Sequence, residues 1–231
     1  MQSNSQNTIQ QSTISRRFDL IVWDWDGTLA NSTGMITEAF VSAAAQVGLP
    51  KVPAENVTNI IGLGLKESIY AVYGDIAPDL AQKLAQQYSA NYYAGEQEIP
   101  LFEGAKETII ELHRRGYKVA VATGKGRRGL NLALQHCELT PYFHATRTVD
   151  ECHSKPHPQM LDELMETFVV RPERTLMIGD TGYDMQMAAN AGVPAVAVTF
   201  GAHSREKLLS YNCIQMFNKF NDLSAWLLSN A

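Results

Sequence analysis

No apolar run in this sequence is long enough to cross a bilayer; stretches such as Pro194-Ala195-Val196-Ala197-Val198 fall far short of the roughly 20 residues a membrane helix needs. Cysteine is scarce as well. Cys137, Cys152 and Cys213 are scattered and odd in number, which implies no disulfide framework and predicts a reducing compartment. Basic residues are outnumbered, with 19 Lys and Arg against 24 Asp and Glu, so the net charge of −5 argues against a nucleic-acid binder. The segment from Met1 to Ser15 has neither an apolar stretch nor an early positive charge, so no secretory signal is expected there. Its Gln, Asn, Ser and Thr predict a disordered polar tail over residues 1–16. Together these absences predict a cytoplasmic protein with neither a membrane nor a nucleic acid as partner. Two phosphate-binding signatures are also missing. No G-x-x-x-x-G-K-[ST] occurs, and Gly62-Leu63-Gly64 lacks the third glycine and the preceding strand of a dinucleotide fingerprint.

What is present is enough apolar residue, 45% of 231, to bury a sizeable core. Strand-like runs alternate with helical patterns, which predicts an α/β fold with a parallel, Rossmann-like sheet. The expected strands are Asp19 to Asp24, Lys118 to Ala122, Thr175 to Ile178 and Ala195 to Thr199, with a short one near His144 to Thr146. Helices are expected at Ala105 to Arg115, stopped by Gly116, and at Leu130 to Cys137, Gln159 to Thr167 and Tyr183 to Ala191. The stretch between the first two strands is far longer than a βα crossover requires. It reads as helices only: one capped near Ser32 or Thr33 and running to Gly48, then Leu65 to Tyr73 and Pro78 to Tyr93. Residues 33–100 are therefore expected to form an inserted all-helical cap on a catalytic core of residues 17–32 and 101–231.

The chemistry-bearing residues cluster where strands end. Asp24 and Asp26, two apart, follow a strand of Leu, Ile, Val and Trp, and residues at that spacing on a strand face the same way. Like charges so placed repel, and a divalent cation with oxygen ligands would relieve them; the plainer alternative is an acidic turn. Thr123-Gly124 ends the second strand. Gly179-Asp180 ends the third, with Asp184 four residues on. Ser154-Lys155-Pro156-His157-Pro158 is a proline-locked loop that opens a helix. In open parallel sheets ligands bind at these carboxyl ends. Singly, Thr-Gly is common after strands, Asp184 fits a helix cap and Lys155 fits a solvated surface. Lys125, Arg127 and Arg128 are expected to form a solvated helix face, with attraction of anionic substrates as the alternative. Cys152, His153 and His157 match no zinc spacing.

In this order the phrases DWDGT, TGK, SKP and GDTGYD resemble the haloacid dehalogenase superfamily of hydrolases, from about Arg17 onward. The position of the insertion is similar to that of the helical-cap subgroup. Leu101-Phe102-Glu103-Gly104-Ala105 and Gly179 to Met185 are similar to phosphoglycolate-phosphatase-like members. Asn31, where the family often has Asp, and Trp25, where a smaller aliphatic is commoner, depart from the pattern outside the chemical quartet. The resemblance implies a Mg²⁺-dependent phosphatase acting on a small phosphorylated metabolite, a phosphoglycolate-like compound or a sugar phosphate, through an aspartyl-phosphate.

In that reading Asp24 is the nucleophile and Asp26 the acid/base. Asp24, Asp180 and the backbone carbonyl of Asp26 hold Mg²⁺. Thr123 and the N–H of Gly124 bind phosphoryl oxygens, Lys155 neutralises charge, and Asp184 orients Lys155 or a metal-bound water. Gly62 and Leu63 reach the substrate from the cap. A phosphosugar mutase on the same scaffold is the alternative, as is a non-catalytic binding protein that retains the fold.

Overall fold

The computed structural model describes residues 16–95 and 99–230. Its elements run β1 (Leu20–Trp23), α1 (Thr33–Gln46), α2 (Ala54–Thr58), α3 (Leu65–Tyr73), α4 (Pro78–Gly95), α5 (Ala105–Arg114), β2 (Lys118–Thr123), α6 (Arg127–His136), β3 (Ala145–Thr148), α7 (Gln159–Phe168), β4 (Thr175–Gly179), α8 (Gly182–Asn190), β5 (Ala195–Val198), α9 (Arg205–Leu208), β6 (Gln215–Phe217) and α10 (Phe220–Asn230). Residues 1–15 of the expected polar tail lie outside the described residues. Arg16, which the same expectation assigned to the tail, packs its guanidinium 4.7 Å from the centroid of the Tyr117 ring.

The six strands are all parallel, in the order β3-β2-β1-β4-β5-β6. Alternation along the strands divides the core in two. Ile21, Trp23, Val119, Val121, Ile178 and Val196 face one way, toward α5, α6 and α10. Leu20, Val22, Ala120, Met177 and Ala195 face the other, toward α7, α8 and α9. Burial on both faces is why these strands read as continuous apolar runs, and each such Val, Leu or Ile contributes about 1.5–3 kcal/mol when buried. The chain winds from β1 out to β3, then returns to place β4 on the other side of β1. That reversal puts a crevice at the carboxyl ends of β1, β2 and β4.

Helices α1 to α4 pack on one another around a separate apolar cluster that includes Phe40, Val57, Ile69 and Leu84. The chain enters and leaves this helical segment along paired backbone: Asn31 N–H donates to Pro100 O at 2.9 Å, and Phe102 N–H to Leu29 O at 2.9 Å. Four elements went beyond the sequence reading, the short α2 and α9, the edge strand β6 and the α10 that follows it.

Candidate active site

β1 ends at Trp23, and the next residue carries the first carboxylate. Asp24 is still tied to the sheet, its N–H donating to Ile178 O at 2.9 Å, while its side chain is 1% exposed at the strand end. Asp24 Oδ1 accepts from Trp25 N–H at 2.7 Å and from Lys155 Nζ at 2.8 Å. Asp24 Oδ2 is buried with no partner. A buried carboxylate oxygen without a donor is costly, so its natural partner is a group that comes with the reaction. Beyond Asp24 the chain turns tightly, with Leu29 and Ala30 N–H both donating to Trp25 O at 2.9 and 3.0 Å. Gly27 sits at φ +83°, and a Cβ there would overlap the Asp180 carboxylate, so this turn requires glycine twice over. Trp25 points away from the site into the core, with its ring edge-on to Phe143 at 6.4 Å.

The turn aims Asp26 at the same crevice. Ser32 Oγ donates to Asp26 Oδ1 at 2.8 Å, a role beyond the expected helix start. Ser32 does stand at the N-cap position of α1, but its hydroxyl is used on Asp26 instead. Thr123 is buried at the end of β2, its Oγ1 accepts from Lys125 N–H at 3.2 Å, and the residue lines the crevice. Next to it, a Cβ on Gly124 would lie 2.5 Å from Gly62 O and 2.6 Å from Leu63 O. The helical segment thus presses its backbone directly on the core, and only glycine allows that approach. The structure brings Gly62 and Leu63 to the same cavity as Asp24, Asp26, Thr123 and Gly124.

Lys155 is fully buried between two carboxylates, at 2.8 Å from Asp24 Oδ1 and 2.6 Å from Asp184 Oδ1. Burial opposes its charge, but Asp184 and Asp24 outweigh it and hold the ammonium above its ordinary range. Asp184 Oδ2 in turn accepts from Thr181 N–H at 3.0 Å and Thr181 Oγ1 at 2.6 Å. Asp184 therefore caps α8 and holds Lys155 at once. Asp180 accepts from Thr28 Oγ1 at 2.7 Å and from Ala202 N–H at 2.6 Å. Burial, then the Asp184 charge, pushes the Asp180 carboxyl up to about 7. Burial also raises Asp24 well above the carboxylate range, against the pull of Lys155 and with help from Asp184 and Asp180. One oxygen each of Asp24, Asp180 and Asp184 lie within 4.8 Å of one another, the one such group of three among the described residues. Three buried carboxylates against one buried ammonium, with one oxygen orphaned, make an oxygen-only donor set with excess negative charge. That set fits a hard divalent cation.

Two residues escaped the sequence reading. Thr28, the threonine of the DWDGT phrase, is a direct partner of Asp180. Lys125 is no solvated helix face. Its side chain is 8% exposed, its Nζ lies 3.7 Å from Asp26 Oδ1 and donates to Tyr92 OH at 2.6 Å. Arg127 instead pairs with Glu151 at 2.7 Å, away from the crevice, and Arg128 is the exposed member of the cluster.

A parallel sheet whose carboxyl ends converge two aspartates, a threonine, a buried lysine and a further buried acidic pair defines a class of hydrolase. Residues 21–198 match the family model for haloacid dehalogenase-like hydrolases, and the chain belongs to that family. It is 30% identical to a pyrophosphatase PpaX of Bacillus cereus over 216 residues, 93% of this chain and 98% of the relative. Among solved structures, a predicted phosphoglycolate phosphatase from Haemophilus somnus is 25% identical with a TM-score of 0.79, over 90% of this chain and 97% of that one. A haloacid dehalogenase-like family hydrolase from Streptococcus pneumoniae is also 25% identical, with a TM-score of 0.78 over 91% and 98% of the two chains.

Proposed function

We propose that the protein is a Mg²⁺-dependent phosphomonoester hydrolase that works through an aspartyl-phosphate on Asp24. The observation that carries this reading is Asp24 itself. One oxygen is fixed by Lys155 and a backbone N–H, the other is buried and unpartnered, and Asp26 stands two residues on at the edge of the same cavity. The names of the relatives, a pyrophosphatase and a predicted phosphoglycolate phosphatase, are those of phosphate-releasing hydrolases and support it.

The first step forms a bond from an Asp24 carboxylate oxygen to phosphorus and breaks the ester P–O bond. Asp26, carrying a proton, gives it to the departing alkoxide. In the second step Asp26 takes a proton from water, the water oxygen bonds to phosphorus, and the Asp24–phosphorus bond breaks to return the carboxylate and inorganic phosphate. The Thr123 hydroxyl and Gly124 N–H hold phosphoryl oxygens, and Lys155 supplies positive charge beside the attacking oxygen. Asp184 keeps Lys155 in place, while Ser32 and Lys125 keep Asp26 aimed. Asp24, Asp180 and the carbonyl of Asp26 are the groups that would hold Mg²⁺, which when bound neutralises the acidic cluster and withdraws charge from the phosphoryl group.

Residues 33–100 act in this reading as a cap over the core of residues 17–32 and 101–231, with hinges at the paired connections around residues 30–34 and 99–104. Closure keeps bulk water from the aspartyl-phosphate. The test is release of inorganic phosphate from a panel of phosphorylated metabolites by the purified chain, with and without Mg²⁺. Release that needs Mg²⁺ and no bisphosphate activator is expected. Isomerisation of a sugar phosphate that needs a bisphosphate activator and releases no net phosphate would mark a mutase, and neither reaction would leave a binding protein.

A further inference from the structure

The cavity above Asp24 and Asp26 has about 290 Å³ of space. Its floor and its roof differ in kind. The floor is the polar set of the core, Asp24, Asp26, Thr123, Gly124 and Lys125. The roof comes from α1, α3, α4 and the loop before α3, and among the described residues not one roof side chain carries a charge. Instead Ile36, Phe40, Ile60, Tyr88 and Tyr92 line it. The rings form a continuous apolar surface. Phe40 meets Tyr88 edge to face at 6.1 Å, and Tyr88 stacks on Tyr92 at 5.8 Å. The two serine hydroxyls of the roof, those of Ser68 and Ser89, are turned back on the helical segment, to Ile60 O at 3.4 Å and Ala85 O at 2.8 Å, and the Tyr92 hydroxyl accepts from Lys125 Nζ at 2.6 Å.

We propose that this site takes phosphomonoesters whose leaving group is an uncharged, ring-sized apolar or aromatic alcohol, in preference to phosphoglycolate, pyrophosphate or a hexose phosphate. The proposal rests on the hydrolase reading above and names its substrate class. Size supports it. A cavity of about 150 Å³ accommodates benzene, so one of 290 Å³ has room for a phosphoryl group and a ring together. Phosphoglycolate and pyrophosphate would leave most of the roof facing nothing, and apolar walls without partner atoms lose their contacts outright.

Charge supports it as well. The leaving group of phosphoglycolate ends in a carboxylate and that of pyrophosphate in a phosphate, and neither meets a cation in the roof. The cations of the cavity, Lys125 and Arg128, come from the core side. Lys125 Nζ is engaged by Asp26 and Tyr92, and lies 4.1 Å from the centroid of the Tyr92 ring. Arg128 lies over Tyr93, 5.1 Å from its centroid, on the exposed side. A hexose brings several hydroxyls to a wall made mainly of ring and aliphatic carbon, and those left without a partner there would lose their hydrogen bonds to water.

The test is kcat/KM of the full chain with Mg²⁺ for 2-phenylethyl phosphate, ethyl phosphate, phosphoglycolate, pyrophosphate and glucose 6-phosphate. The first two leave as primary alkoxides and differ in the ring alone. Burying one ring-sized apolar group predicts a preference of about 10- to 100-fold for the phenylethyl ester over the ethyl ester. It should also exceed the other three. Ser89→Lys, which puts an ammonium in the roof, should invert the order of phenylethyl phosphate and phosphoglycolate; Tyr88→Leu should narrow the phenylethyl-to-ethyl ratio. Equal values for the phenylethyl and ethyl esters, or a higher value for phosphoglycolate, pyrophosphate or the hexose phosphate, overturn the substrate class and leave the hydrolase standing. Release of phosphate from none of these, nor from p-nitrophenyl phosphate, overturns the hydrolase reading and the substrate class with it.

Discussion

Lys155→Met removes the one buried cation between Asp24 and Asp184 while keeping the side chain's bulk. Both carboxylates are fully buried, so no solvent enters to replace the ammonium. Breaking a buried ion pair by deleting one partner costs about 3–5 kcal/mol. For a chain of this length 1 kcal/mol moves the melting temperature by about 2–4 °C, so a drop on the order of 10 °C is expected at pH 8 without metal. The sign with pH follows from Asp24. Its folded-state pKa already lies above the unfolded value, and it rises further without Lys155. The folded variant then binds more protons than its unfolded chain, so its stability falls as pH rises. The gap to wild type should therefore be smaller at pH 5 than at pH 8. Turnover with Mg²⁺ should fall at least about 10²- to 10³-fold, the loss typical of one preorganised electrostatic donor. Lys155→Arg should lose turnover too, because a planar fork does not replace a point charge held between two carboxylates. The assays are thermal unfolding by circular dichroism at pH 5 and 8 and phosphate release. A variant that melts within 2 °C of wild type at pH 8 and keeps a tenth of its activity refutes the role given to Lys155.

Other expectations are shorter to state. Asp26→Asn should lower turnover about 10²- to 10⁴-fold on an alkyl phosphate, and less on p-nitrophenyl phosphate, whose leaving group needs no proton; equal losses on both would remove Asp26 as the acid. Asp180 titrates near 7 and Asp24 is raised as well, so the metal-free protein should lose stability between about pH 4 and 7. Mg²⁺ should accordingly raise the melting temperature more at pH 8 than at pH 5, and a larger shift at pH 5 would count against these carboxylates as ligands. Gly124→Ala sets a methyl group 2.5 Å from Gly62 O and must push the loop of residues 60–64 off the core. Its kcat/KM should drop about tenfold or more with little change in melting temperature, and unchanged kcat/KM would mean that this contact is not needed.

Much of the site was legible because parallel strands buried on both faces read as short apolar runs, and the residue after each run falls at the crevice. Leu20 to Trp23 leads to Asp24, Val119 to Ala122 leads to Thr123, and Leu176 to Ile178 leads to Gly179 and Asp180. The edge strand β6 was not legible, because three residues of mixed polarity, Gln215-Met216-Phe217, carry no period. The same holds for α2 and α9, of five and four residues. Helix α10 does show a stripe at Phe220, Leu223 and Leu227, weakened by the Asn, Asp and Ser between them. Ser32 stands at the expected N-cap position of α1, but local pattern does not reveal that Asp26 has folded back within reach of its hydroxyl. Lys125 was misread for a related reason. Tyr92, from α4, covers it, and no local pattern predicts a contact between residues 33 apart in the chain.

The central claim is covalent chemistry at Asp24, and the most direct measurement looks for the bond. The chain is mixed with Mg²⁺ and a good substrate, quenched in acid during turnover, and digested for mass spectrometry. The account predicts one added phosphoryl group on the peptide carrying Asp24, labile to base and absent from Asp24→Asn, which should also be inactive. Turnover without any such adduct, combined with activity in Asp24→Asn, or a phosphoryl group mapped to another residue, would contradict it.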